Sequence, residues 1–359
     1  MGSDGYGQAM SDTERPSPSE TLSQSPRRVR CLTFVGRGLL VLAVAGMIAW
    51  GAMAVYYSNL PARLRFVMAA IFGLGSIALL VFVRPRRRGL MAFLAVFVLL
   101  VVWWLRIPPS NDRDWQPDVA VLPDAVIEGN QVTIHNIRNC DYRSETAFDV
   151  RHYDRIYDLD KLRTADLFLI YWGSPMIAHT MISFGFEGDD YLCISIETRK
   201  EKSEDYSAIR GFFKQYELTY VIADERDLVR LRTNYRGEDV YLYRLKTKPE
   251  MLRDVLRDYL KEAHRLRQKA EWYNALTSNC TTNIRGHARP YMVSPWDWRI
   301  LLNGHIDEMA YRNGRLDQSL PFAELKARSH INERGKAADK DPAFSKRIRE
   351  GLPGMEKRP

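Results

Sequence analysis

Three side chains far apart in this 359-residue chain could together carry thiol chemistry: His179, Glu197 and Cys280. A thiol attacks as its thiolate, so a nucleophilic cysteine needs a neighbouring base or a positive field. Cys280 follows Thr277-Ser278-Asn279, three residues suited to an N-cap, which predicts a helix opening at Asn279–Cys280. In the first turn of such a helix, exposed N–H groups and the positive end of the dipole favour a thiolate and could stabilise an oxyanion on an acyl carbonyl. His179 opens the strand-like run His-Thr-Met-Ile-Ser-Phe-Gly-Phe, and Glu197 ends the next run, across a turn at Gly188. An antiparallel hairpin would bring these strand ends together. The carboxylate would then orient the imidazole, and the imidazole would take the thiol proton.

The bland readings stand beside this one. A lone cysteine is more often a small core residue than a nucleophile. Cys193 alternates with Tyr191 and Ser195 within a strand and reads as buried, while Cys140 sits in Arg-Asn-Cys-Asp without a helix start. Either is inert, or the two form a disulfide. Cys31 precedes the first apolar run and is separated from the others. Histidines 135, 152, 264, 287, 305 and 330 show no metal-ligand spacing, and neither a metal nor a cofactor site is expected.

The elements that must position these groups follow from pattern. Residues 132–137, 166–172, 179–186, 191–196, 219–223 and 240–245 are rich in β-branched and aromatic residues and separated by turn material, so they read as strands. Helices are predicted over 206–213, over 249–267 with apolar Met251, Leu252, Val255, Tyr259 and Leu260 at helical spacing, and from 279–280 onward. Strands and helices without regular βαβ alternation predict an α+β domain.

Ahead of this domain, residues 38–57, 66–83 and 89–105 carry no charge. Each approaches the ~17–25 residues that cross a hydrocarbon core. The bland alternative is a signal peptide followed by buried helices, and the second and third runs weigh against it. Arg27, Arg28 and Arg30 precede the first run, and Arg84, Arg86, Arg87 and Arg88 lie between the second and third, whereas the intervening loop holds only Arg63 and Arg65. The distribution predicts a cytoplasmic N-terminus, with everything after about Arg106 outside. Tyr56, Tyr57, Trp103 and Trp104 would then form an aromatic belt at the outer interface. The division expected is a disordered cytoplasmic tail (1–30), three spans (31–107), a linker (108–124), the extracytoplasmic Cys–His domain (125–335) and a polar C-terminal tail (336–359). Much of the net charge of +8 lies in the topology-setting arginines, and no nucleic-acid-binding pattern accompanies it.

Six segments together resemble a known family. They are 139–143 (Asn-Cys-Asp-Tyr-Arg), 179–186, 195–199 (Ser-Ile-Glu-Thr-Arg), 223–227 (Ala-Asp-Glu-Arg-Asp), 231–233 (Leu-Arg-Thr) and 273–282 (Tyr-Asn-Ala-Leu-Thr-Ser-Asn-Cys-Thr-Thr). In this order they resemble the Lnb N-terminal periplasmic domain family, over about residues 125–330. The order of histidine before cysteine is also similar to circularly permuted, papain-like NlpC-type enzymes. The resemblance implies an α+β, permuted papain-like domain with an antiparallel sheet and packed helices, preceded here by three transmembrane helices. It implies Cys280 and His179 as the catalytic pair with Glu197 as third member, and Asn279, Tyr142, Tyr273 and Ser195 as supporting residues. Arg199, Arg226 and Arg232, like Glu225 and Asp227, match family positions and either hold substrate or form structural ion pairs. The family's named member moves an acyl chain from phospholipid to the amine of a lipoprotein's N-terminal cysteine through an acyl-thioester. The helices precede the domain here rather than follow it.

Three functions are therefore carried forward. One is a membrane-anchored thiol acyltransferase or acyl hydrolase of the bacterial inner membrane, facing the periplasm, with the bilayer as partner and phospholipid or lipoprotein as substrate. The second is a papain-like hydrolase of peptide or peptidoglycan amides, and the third a membrane-tethered binding domain without catalysis.

Overall fold

The computed structural model describes residues 26–289, 297, 299 and 303–355, with side chains from residue 34 onward. The expected N-terminal tail up to residue 25 and the Cys31 side chain lie outside the described parts. Helices α1 (Pro26–Tyr56), α2 (Ala62–Phe82) and α3 (Arg86–Leu105) contain three candidate membrane spans, at 34–56, 62–82 and 86–105. Their outward-facing apolar side chains, Phe34, Phe66, Phe82 and Leu99 among them, are left exposed, as lipid contact requires and water would penalise.

The domain that follows is α+β. Its strands are β1 (Asp124–Glu128), β2 (Gln131–Arg138), β3 (Asp141–Tyr142), β4 (Phe148–Asp149), β5 (His152–Asp158), β6 (Leu162–Tyr171), β7 (Ala178–Phe186), β8 (Asp190–Arg199), β9 (Glu217–Ala223) and β10 (Asp239–Arg244). Helix α4 (Glu225–Arg230) lies between β9 and β10; after β10 come α5 (Pro249–Gln268), α6 (Cys280–Ala288), α7 (Ile306–Arg312), α8 (Phe322–Arg328), α9 (Asn332–Ala337) and α10 (Phe344–Arg347). The main sheet runs β1-β2-β9-β8-β7-β6-β10, with β5 also on β2, and β3 and β4 form a separate ribbon. The expected antiparallel sheet is in fact mixed, because β2 and β9 pair in parallel at Arg138↔Ala223.

The β7–β8 hairpin turns at Glu187-Gly188-Asp189, where Gly188 has φ 84° and Asp189 φ 59°, the left-handed region that glycine enters without cost. Its ladder runs from Phe186↔Asp190 only as far as Met181↔Ser195. Beyond that pair β7 continues with β6 to Tyr171↔Ala178, and β8 continues with β9 to Arg199↔Glu217. The two strands part at the end that carries His179 and Glu197.

Alternation along the strands gives the sheet two buried faces. Ala178, Ile182, Phe184, Ile194 and Ile196 point to the face covered by α5 and α6, and Met181, Cys193, Val221 and Ala223 to the opposite one. Helix α5 starts with Pro249 at N1 and buries Leu252, Leu256, Tyr259, Leu260, Ala263 and Leu266, a stripe of 3.6-residue period. Each fully buried Leu contributes about 1.5–3 kcal/mol.

Two sequence expectations fail here. No helix covers 206–213; the segment holds only a 3-10 turn at Arg210–Phe212, since Gly211 breaks the run and its backbone is used by another loop. The stretch from 336 onward is not a loose polar tail: Ala338, Phe344, Ile348 and Leu352 are buried on the second face, and Arg349 is inserted between Asp166 and Glu225. Its apolar residues are sparse but spaced so that each reaches the core.

Candidate functional site

Helix α6 opens as its sequence predicts, with Asn279 as N-cap. The Asn279 side chain accepts from the Thr282 N–H, and the Thr282 hydroxyl accepts from the Asn279 N–H, closing a capping box. The Asn279 amide also donates to Ala275 O at 2.8 Å, so this side chain holds the turn from both ends. Cys280 is the first helical residue, 7 % exposed and within the core cluster beneath α5 and α6.

Burial pushes the Cys280 thiol up. The Thr180 backbone, the Thr281 hydroxyl, the Thr281 backbone and the Arg232 charge act in the other direction. Desolvation thus outweighs the helix terminus, and the resting thiol is protonated. The amide of Asn303 reaches the same sulfur: its Nδ2 lies 3.8 Å from Sγ and donates to Thr281 Oγ1 at 2.9 Å, while its Oδ1 accepts the Ala178 N–H at 2.9 Å. Asn303 can come this close because the next residue is glycine, where a Cβ would stand 2.2 Å from the Pro175 carbonyl oxygen.

On β7 the His179 ring points, by alternation, to the face opposite α6. Its Nε2 is 2.7 Å from Ser195 Oγ and 3.7 Å from Glu197 Oε1, and the Ser195 hydroxyl donates to that carboxylate at 2.7 Å. Arg232 donates to Glu197 Oε1 at 3.1 Å and to Glu238 Oε2 at 3.0 Å. It sits on the wide π-helical turn Leu231–Arg236, a local form often found at functional sites. Burial first, then Arg232, lowers the imidazole to about 3 against the pull of Glu197, so it is neutral and able to accept a proton. Burial alone would raise Glu197, but Arg232 and then His179 hold it well below the ordinary carboxylate range.

The hairpin thus gathers His179, Ser195, Glu197 and Arg232. Cys280 approaches β7 from the other face, with its sulfur at the backbone of Thr180, the residue after His179. His179 is not among the sulfur's hydrogen-bond partners. The two groups lie on opposite faces of the sheet, close to the point on β7 where its ladder with β8 stops.

Other candidates lie elsewhere. Tyr142 is buried with Cys140 and Leu231, its hydroxyl 3.4 Å from Asp227. Asp227 pairs with Arg138 through two bonds of 2.9 and 2.7 Å. Arg199 donates to Val119 O, Asn111 Oδ1 and Ala120 O and stacks on Trp115 at 4.2 Å, fastening the 111–120 segment to the sheet. Arg226 lines a polar depression with Asp189, Asp190 and Lys346, at the far end of β8. Tyr273 does belong near the thiol: burial, then a charge on Cys280, raises its pKa, and the same causes act on Tyr206. Cys140 and Cys193 are separate free thiols, buried in different clusters, so the alternative of a disulfide falls.

Sequence reasoning missed Asn303, whose Asn-Gly dipeptide signals only a turn, and the chain Asp258–His287–Tyr220. There His287 Nδ1 is 2.6 Å from Asp258 and Nε2 2.7 Å from the Tyr220 hydroxyl, tying the last turn of α6 to α5 and β9. A polar residue whose partners lie 29 and 67 positions away leaves no local signature.

No curated protein and no solved structure matches the chain. The family model described as the Lnb N-terminal periplasmic domain matches residues 149–304, a span that contains His179, Ser195, Glu197, Arg232, Cys280 and Asn303. With three apolar helices ahead of it, this is a membrane-associated periplasmic domain of an inner-membrane protein. Over residues 149–304 the chain is thus similar to the Lnb N-terminal periplasmic domain family.

Proposed function

We propose that the domain is a thiol acyltransferase or acyl hydrolase acting on lipid or lipoprotein, with Cys280 as nucleophile and His179 as base. The distribution of the arginines supports a periplasmic location for it. The observation that carries this reading is the contact of the Cys280 sulfur with the backbone of Thr180, the residue after His179, near the point where the β7–β8 ladder stops. The neutral imidazole, oriented by Ser195 and Glu197, supports it, as does the order of histidine strand and cysteine helix expected of a permuted papain-like fold.

In this reading the ring leaves Ser195 and comes within reach of the sulfur as an ester carbonyl enters. The thiol proton passes to His179 while sulfur bonds to the carbonyl carbon. Collapse expels the alcohol, which takes the proton back, and leaves an acyl-thioester. An amine or water then displaces the thiol. The Asn303 Nδ2 beside the sulfur is the side-chain donor best placed for the oxyanion.

Intact-mass and peptide mass spectrometry of protein taken from membranes should find an acyl group on Cys280, absent in Cys280→Ser and strongly reduced in His179→Gln. If both variants leave acylation and the cellular lipoprotein profile unchanged, the reading fails. The burial of the sulfur favours a second reading, a binding domain with an inert thiol. It predicts that a thiol-reactive probe labels Cys280 no faster in the folded protein than it labels Cys193.

A further inference from the structure

The large apolar side chains exposed on the domain are grouped. Tyr206, Ile209 and Phe212 are exposed between β8 and β9, Leu276 on the turn before Cys280, and Trp172, Met176 and Ile177 on the loop before His179. The other large hydrophobic residues exposed after α3 among the described residues, Val121, Val126, Val150 and Ile156, lie on other segments. Single exposed apolar residues are ordinary, whereas a contiguous set marks a contact surface.

The three loops adjoin one another around the thiol. Ala275 N–H donates to Gly211 O at 3.0 Å, joining the first loop to the turn that leads into Cys280. On the other side, Gly304 N–H donates to Met176 O at 3.1 Å, and the preceding Asn303 contacts Cys280.

The first loop is also tied to the membrane helices. The Phe213 ring stacks on Tyr57 at 5.5 Å and approaches Trp50 at 6.5 Å. Trp50 lies seven residues before Tyr57, roughly 10 Å deeper along the helix. The Lys214 ammonium donates to the carbonyls of Trp104, Leu105 and Ile107 where α3 ends, and Trp272 Nε1 donates to Ile107 O. The residue after Phe212 therefore packs against the ends of the candidate spans, and the exposed residues of that loop adjoin them.

We infer that residues 206–212, Leu276 and the 172–177 loop rest in the leaflet on whose side α1 and α3 end, so that Cys280 opens toward lipid rather than toward bulk water. A lipid surface is favoured over a protein partner because the patch is continuous with helices already in contact with lipid and mixes aromatic and aliphatic residues with flanking Arg210 and Lys214. What would enter by this route rests on the thiol reading above; the seating itself does not.

The test uses the full chain in nanodiscs of phosphatidylethanolamine and phosphatidylglycerol, in a Cys31→Ser, Cys280→Ser background. A bimane is attached after Ile209→Cys, Leu276→Cys or Ile177→Cys, with Ile156→Cys as control, and lipid bearing a shallow nitroxide is the quencher. Quenching at positions 209, 276 and 177 is expected to exceed that at 156 by at least about twofold. Equal quenching at all four positions, or strong quenching only by a water-soluble nitroxide, overturns the proposal. Quenching at 209 alone overturns the claim that lipid surrounds the thiol. These outcomes are independent of the acyl-thioester experiment, so either idea can fail while the other stands.

Discussion

Two polar networks lie on the same face of the sheet, and they differ in how they end. Around Arg349, the guanidinium spans Asp166 at 2.8 Å and both oxygens of Glu225 at 2.8 and 2.6 Å; Ser183 donates to Glu225 at 2.5 Å, and Arg244 also bonds Asp166. Asp166 and Glu225 are fully buried. Every carboxylate there meets a fixed positive charge. Around Glu197, one arginine serves two carboxylates, and the remaining acceptor capacity goes to Ser195 and, through it, to a neutral imidazole. A closed set of permanent charges holds segments together. A set that ends on a neutral base has somewhere to put a proton.

The largest expected effect comes from breaking the closed network. Arg349→Ala strands the buried Glu225, leaves Asp166 with Arg244 alone and should cost about 3–5 kcal/mol, with loss of the 344–352 segment from the core. Denaturant unfolding of the solubilised protein measures the first, and proteolysis at the C-terminal segment the second. Arg349→Lys should recover only part of it, because an ammonium cannot span both carboxylates in the same geometry. Stability unchanged in Arg349→Ala would mean that the segment is held by its apolar contacts alone.

In the other network, Glu197→Gln removes a charged acceptor of Arg232 and Ser195. A loss of about 1–3 kcal/mol is expected, together with slower thioester formation at Cys280. Full activity in this variant would show that Ser195 alone orients the ring.

The smallest effect is that of pH. Both His179 and Glu197 have folded pKa values below their ordinary ones, so the unfolded chain binds more protons. Their contribution to stability is complete above about pH 6.5 and is lost as pH falls toward about 3 for the imidazole. The loss is tempered because the Glu197 carboxylate lies 3.7 Å from the protonating ring. His179→Gln should flatten the stability profile between those limits; an unchanged profile would assign the acid sensitivity to other groups.

Much of the architecture was legible from local pattern. The expected strands 132–137, 179–186 and 240–245 fall within one residue of β2, β7 and β10, because alternation and β-branching are sampled over a few neighbouring positions. Strand β5 was missed: its His152-Tyr-Asp-Arg-Ile-Tyr-Asp run is rich in charge and lies half exposed against β2 alone, so it lacks the apolar signature. At the site, Asn279 capped α6 as read, but the amide beside the sulfur is that of Asn303, which no local pattern pointed to.

Three spans, the amphipathic α5 and the N-cap before Cys280 are written in periods and caps, which need only near neighbours in the chain. Whether a helix terminus acidifies its cysteine is a contest between the dipole and desolvation, and desolvation depends on everything packed around the sulfur. Only the tertiary structure could decide that burial wins and that the imidazole lies across the strand from the thiol. Those outcomes are set by residues separated by up to a hundred positions, whose mutual distances no local pattern encodes.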